Sequence, residues 1–138
     1  MENVLTSPAL PATPVSKKLV WTGRVLTGLI VAFLLFDAAL KLVPIAAVVE
    51  ASLRLGYPAD IARHLGVLLL ACTVLHIIPR TQVLGAVLLT GYLGGATATH
   101  VRIGDPFWFP VVMGAILWLG LYLRHPRLRA LLATPSAS

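Results

Sequence analysis

The sequence predicts an all-α fold: a four-helix transmembrane bundle with a short interfacial helix between the first and second spans. Three observations carry that expectation. Of the 138 residues, 58% are hydrophobic and only 12% charged, with mean hydropathy +0.90. A soluble domain of this size carries about a quarter charged residues, so this chain lacks the polar surface that water requires. The apolar residues also fall in long runs separated by Pro, Gly and charge, as spans do. Finally, basic residues are divided unequally between the two ends of those runs.

The elements follow in chain order. Residues 1–16 hold Pro8, Pro11 and Pro14 among Ser, Thr and Ala, and read as a mobile tail. Lys17 and Lys18 precede an apolar run over about 19–40. It exceeds the roughly 7–15 residues of a signal-peptide core and reads as a retained first span. Pro44 opens a segment over about 45–55 in which Ile45, Val48, Val49 and Leu53 share one helical face. Glu50 and Arg54 stand four apart, so they are expected to pair, and Gly56 and Pro58 end the helix. About eleven residues at roughly 1.5 Å each are too short for a core of about 30 Å, hence the interfacial assignment.

Asp60 is placed to cap a second span over about 61–78, which stops at Pro79-Arg80. A third span covers about 82–101 and turns at Gly104-Asp105-Pro106. The fourth covers about 107–123 and ends at Arg124-His125-Pro126. One membrane domain thus occupies 17–126, and 127–138 reads as a C-terminal tail, basic at Arg127 and Arg129 and then flexible.

Net charge is +6, from 11 Lys and Arg against five acids. Four spans put both termini on one side. Lys17, Lys18, Arg24, Arg80, Arg124, Arg127 and Arg129 share that side, and the positive-inside rule places it in the cytoplasm. Lys41, Arg54, Arg63 and Arg102 lie opposite with Asp37, Glu50, Asp60 and Asp105, a balance that points to pairing within the protein. The charge is therefore read against the lipid bilayer, not nucleic acid. Cys72 is the single cysteine, which excludes an internal disulfide and dithiol chemistry.

The stretch GYLGGATATHVRIGDP at 91–106 concentrates small and ionisable residues. GYLGGA does not satisfy GxGxxG and no P-loop lysine follows, so it is not a nucleotide loop. Gly91 and Gly95 form GxxxG, with Gly94 and Ala98 as a second small pair. Such positions let helices approach closely. The expectation is packing inside the bundle, with a homo-oligomer face as the alternative. Asp37 and Lys41 stand one turn apart at the outer end of the first span, as an ion pair or as one wall of a polar pocket. His64 and His100 fall at similar depth and permit two-histidine ligation only if they face each other; pairing with Asp60 or Asp105 is the plainer reading, and no metal is assigned. Trp21, Trp108 and Tyr122 suit interfacial belts, whereas Tyr92 lies inside the third span, where its hydroxyl needs a partner.

Residues 36–44, FDAALKLVP, the LGYP at 55–58 and above all 78–106, IPRTQVLGAVLLTGYLGGATATHVRIGDP, resemble the DoxX-like family of small integral membrane proteins. The resemblance covers about Leu19 to Leu123. It implies a four-helix bundle in the bacterial inner membrane and relatives that are accessory subunits of quinone-linked or oxidative-stress redox systems. The matched positions Asp37, Lys41, Tyr92, Thr99, His100 and Arg102 are the candidate pocket, with quinone as the candidate ligand. It also implies an acidic residue in the second span, where this chain reads GVLLLAC with Leu69. No self-contained catalytic set is present, so the chain is at most a subunit of an oxidoreductase. The leading expectation is an accessory subunit with a polar outer pocket, formed where Asp37, Lys41, Glu50, Arg54, Arg63, His64, His100, Arg102 and Asp105 gather. A scaffold for a partner redox protein is the alternative, and a small-solute transporter is third.

Overall fold

The computed structural model of the chain describes residues 15–43 and 45–133. The tail expected over 1–16 falls almost wholly outside them, as do Pro44 and residues 134–138. The described residues form six α-helices: α1 Lys17–Leu42, α2 Ala46–Arg54, α3 Ile61–Ile77, α4 Gln82–Ile103, α5 Trp108–Arg124 and α6 Pro126–Leu132. No strand occurs among the described residues.

Proline and glycine set the boundaries. Val43, Ile78 and His125 are extended, each directly before a proline, and there α1, α3 and α5 end. Gly104 takes a left-handed conformation, φ 73°, and closes α4 as the amide of Asp105 donates to the carbonyl of His100. Asp60 does occupy the position before α3, but its side chain makes no capping bond. Its backbone is helical, φ −80° and ψ −22°, rather than the extended form that aims a capping oxygen at the first turn.

The expected tail after residue 126 contains a further helix. Pro126 starts α6 in the position where proline's missing N–H costs nothing, and Leu128 packs against the core. The arginines of so short a segment hide its apolar spacing.

The four long helices form a ring in which α1 packs on α3 and α5, and α4 packs on the same two. Its core is built from Ile30, Leu34, Leu69, Leu89, Leu117 and Leu121. Leu69, where the resemblance implies an acid, is fully buried. Glycines make three of the seams. A Cβ on Gly23 would lie 3.0 Å from the Gly120 carbonyl between α1 and α5, and one on Gly66 would meet the backbone of α1 at Ala38 at 3.2 Å. One on Gly85 would lie 2.3 Å from the His76 amide nitrogen between α4 and α3. The glycines singled out in the sequence behave otherwise. Gly91, Gly94 and Gly95 have nothing within 4 Å of where a Cβ would stand, so this face does not pack inside the bundle. Small residues at four-residue spacing permit a close approach without naming its occupant.

The outside of the ring is apolar. Among the described residues 27 large hydrophobic side chains are exposed, including Leu29, Phe36, Val67, Leu84, Val87 and Val111 on four different helices. Among the described helices α1 alone, at 26 residues, is both long and apolar enough to cross a membrane; α3 and α5 are apolar but 17 residues long.

Candidate functional site

At the end of the ring where α1 and α4 finish, the helices part around a cavity of about 460 Å³. Phe33, Asp37 and Lys41 recur every four residues, so one face of α1 lines it. Tyr92, Thr99 and His100 face it from α4, and between them Gly91 and Gly95 leave part of that wall as bare backbone. Its floor is the apolar core at Leu34, Leu93 and Met113. Phe33, Leu68 and Phe109 line it while themselves exposed at 38%, 51% and 45%, so it reaches the apolar outer surface of the ring.

Five of the six candidate residues, Asp37, Lys41, Tyr92, Thr99 and His100, line this one cavity. Lys41 Nζ donates to Asp37 Oδ1 across one turn, so the two are both an ion pair and a cavity wall. Nδ1 of His100 is buried and has no hydrogen-bond partner among the described residues. A buried polar atom without a partner costs about 1–3 kcal/mol, so a turn of the His100 ring toward the cavity would let Nδ1 regain a hydrogen bond.

Arg102 is the exception. It does not line the cavity; its Nη2 donates to the Leu55 carbonyl at 2.7 Å. The wider cluster is also divided. Arg54 Nη2 donates to Asp105 Oδ1 at 2.8 Å instead of pairing with Glu50, which is exposed. The turn at Gly104 delivers the aspartate to Arg54, and tertiary geometry overrides the i,i+4 spacing. Arg63 and His64 line a separate hollow beside α2, and His64 Nδ1 meets the Asp60 backbone carbonyl at 3.2 Å, not its carboxylate. His64 and His100 therefore do not share a cavity.

Tyr57 is the contributor that sequence reasoning missed. Its hydroxyl is 2.8 Å from Thr99 Oγ1, and Thr99 spends its own hydrogen on the Gly95 carbonyl at 2.9 Å, so Tyr57 donates. The available signal is its place between Gly56 and Pro58, in a link too constrained to wander. Leu55 and Tyr57 thus form a strap over the cavity, pinned to α4 by Arg102–Leu55 and Tyr57–Thr99 and to the turn after α4 by Arg54–Asp105. Arg102→Ala is expected to loosen that strap at a cost of about 1 kcal/mol or less, because Arg102 is exposed. Faster amide hydrogen exchange at residues 55–57 than in the core of α4 checks this.

The opposite end has its own polar group. His76 is fully buried, with Nδ1 donating to the Gln82 carbonyl at 3.0 Å, and Gln82 Oε1 lies 2.8 Å from His125 Nε2. Burial, and then the neighbouring Arg124 charge, hold His125 below the ordinary histidine range. A histidine harder to protonate when folded adds stability above its unfolded pKa of about 6.5 and loses it as pH falls below that value. Thermal stability is therefore expected to fall from about pH 7 to pH 5, and His125→Gln should flatten that slope.

A ring of four long helices, apolar outside and holding at one end a largely apolar cavity with a few polar side chains on its walls, fits a small integral membrane protein. The family comparison agrees: the DoxX-like family matches residues 25–120, so the chain belongs to the DoxX-like family and is a membrane protein of the DoxX type. The comparisons with curated proteins and with solved structures find no match.

Proposed function

We propose that the chain is a four-span accessory subunit of a quinone-linked redox system, and that the cavity between α1 and α4 receives a quinone head group. The single observation that carries this reading is the cavity itself, with His100, Lys41 and Tyr92 on its walls above an apolar floor. A quinone offers what such a site lacks: carbonyl oxygens for N–H and O–H donors, and a flat ring for Phe33, Phe109 and Met113. The His100 ring, Lys41 beside its Asp37 partner, and Tyr92 are the donors on the cavity wall. The exposed flank at Phe33, Leu68 and Phe109 admits a lipid-borne ligand from the side.

Four spans are supported by the exposed apolar belt. Seventeen residues rise about 25 Å, within reach of a core of about 30 Å when flanking arginines extend to the interface. The excess of Lys and Arg at the other end supports a cavity end that faces outward and termini in the cytoplasm, and the family resemblance supports a bacterial inner membrane. On this reading the reductant belongs to a partner subunit. Extraction from native membranes tests the reading. A quinone that copurifies with the wild type is the expected result, and folded protein that neither carries nor binds quinone contradicts it.

The open small-residue face at Gly91, Gly94 and Gly95 favours a second reading, a scaffold in which a partner helix or another copy packs on α4. Loss of assembly in Gly94→Leu, with quinone binding retained, would select it.

A further inference from the structure

The end opposite the cavity is entirely basic among the described residues, and two of its arginines have polar atoms without partners there. Nε and Nη2 of Arg124, and Nη2 of Arg129, are buried without a hydrogen bond. Neither arginine takes part in a salt bridge among the described residues; the two ion pairs found there lie at the other end, at Asp37–Lys41 and Arg54–Asp105. Arg124 is fixed in place by packing. Its Cγ lies 2.6 Å from where a Cβ of Gly23 would stand, so its stem crosses α1 at the residue before Arg24. Arg24 adds a second positive charge that acts on the first.

The charges of Arg24 and Arg124 repel each other with no acid among the described residues at this end, and the buried N–H groups of Arg124 and Arg129 forgo hydrogen bonds. Guanidinium nitrogens Nε and Nη2 form the edge that takes an oxyanion in two parallel bonds; in Arg124 that edge is buried while the residue as a whole is only partly so, and a ligand takes it as the side chain turns outward. The chain supplies no such oxyanion among its described residues.

We propose that the α1–α5 seam at this end is a phosphate-binding site centred on Arg124, with Arg24 and Arg129 flanking it. Its ligand is a phosphate group, carried by an anionic lipid or free in solution. The site is independent of the quinone reading. α6 supports the lipid source: Leu131 and Leu132 beside Arg129 are exposed at 82% and 60%, apolar chains at the level where acyl chains meet head groups.

Thermal unfolding of the full chain in a maltoside detergent tests the proposal, with phosphatidylglycerol, diacylglycerol or inorganic phosphate added. Phosphatidylglycerol is expected to raise Tm by about 5 °C or more near saturation, and diacylglycerol, which lacks the phosphate, is not. An equal rise with inorganic phosphate assigns the site to free phosphate; no rise with it assigns the site to lipid. Arg124→Gln should abolish the response. Arg24→Gln, an exposed position that leaves packing intact, should weaken it even if Arg124→Gln does not fold. Arg127→Gln removes an equal charge from an exposed site nearby and should leave the response unchanged. The proposal is overturned if no phosphate compound raises Tm, if diacylglycerol does as well, or if Arg127→Gln weakens the response as much as Arg24→Gln.

Discussion

Gly85→Ala is expected to lower Tm by about 10 °C or more, a loss of about 3 kcal/mol at the upper end for overpacking. The added methyl would lie 2.3 Å from the His76 nitrogen and 2.5 Å from its Cα. Both are backbone atoms, so no rotamer change relieves the clash and α3 and α4 must separate. That separation also disturbs the bond from buried His76 to the Gln82 carbonyl, 3.0 Å long. Gly94→Ala makes the control. It adds the same methyl to the same helix where nothing lies within 4 Å. Alanine is the better helix former by roughly 0.5–1 kcal/mol, so Tm should hold or rise. Thermal unfolding of both variants in one detergent checks the pair. Equal losses would show that the α3–α4 seam is not where the chain is tightest.

Gly95→Phe is expected to do the reverse: it should leave stability near wild type and remove ligand binding. Gly95 lines the cavity, and the space above it is open. A benzyl group there displaces the volume a head group needs, and the expected loss in quinone affinity is at least about 100-fold, or about 2.7 kcal/mol. His100→Leu acts differently. It keeps the shape and deletes the buried donor, so affinity should fall about tenfold, the worth of one hydrogen bond. Titration of each variant with a short-chain benzoquinone separates volume from chemistry. Equal affinities in wild type and Gly95→Phe would exclude the cavity as the site.

These two glycines show where the sequence is legible and where it is not. Helix boundaries follow from Pro44, Pro79, Gly104 and Pro126, because proline and glycine act through local backbone sterics. The candidate pocket residues likewise gather at one end because Asp37, Lys41 and His100 fall near span ends. Which glycine seals a seam is decided by the partner helix. Gly85 therefore carries no local signal, while the GxxxG at Gly91 and Gly95 suggests a packing that the bundle does not use. The same limit explains Arg54 and Arg102. Their partners, Asp105 and the Leu55 carbonyl, are 51 and 47 residues away in sequence. The place of Tyr57 between Gly56 and Pro58 marks a constrained link, but its partner appears only when the strap folds onto Thr99. In α6, two arginines mask Leu128, whose burial depends on a core it reaches by chain reversal at His125-Pro126.

The central claim, a quinone head group in the cavity between α1 and α4, has a built-in reporter. The Trp108 ring lies 6.1 Å from that of Phe109, which lines the cavity. Quinones quench indole fluorescence at close range, so titrating the purified chain with a short-chain benzoquinone reads occupancy directly. Saturable quenching that largely disappears in Trp108→Phe, and that Gly95→Phe abolishes, is the predicted result. Quenching that never saturates, or that saturates identically in wild type and Gly95→Phe while both remain folded, would contradict the account.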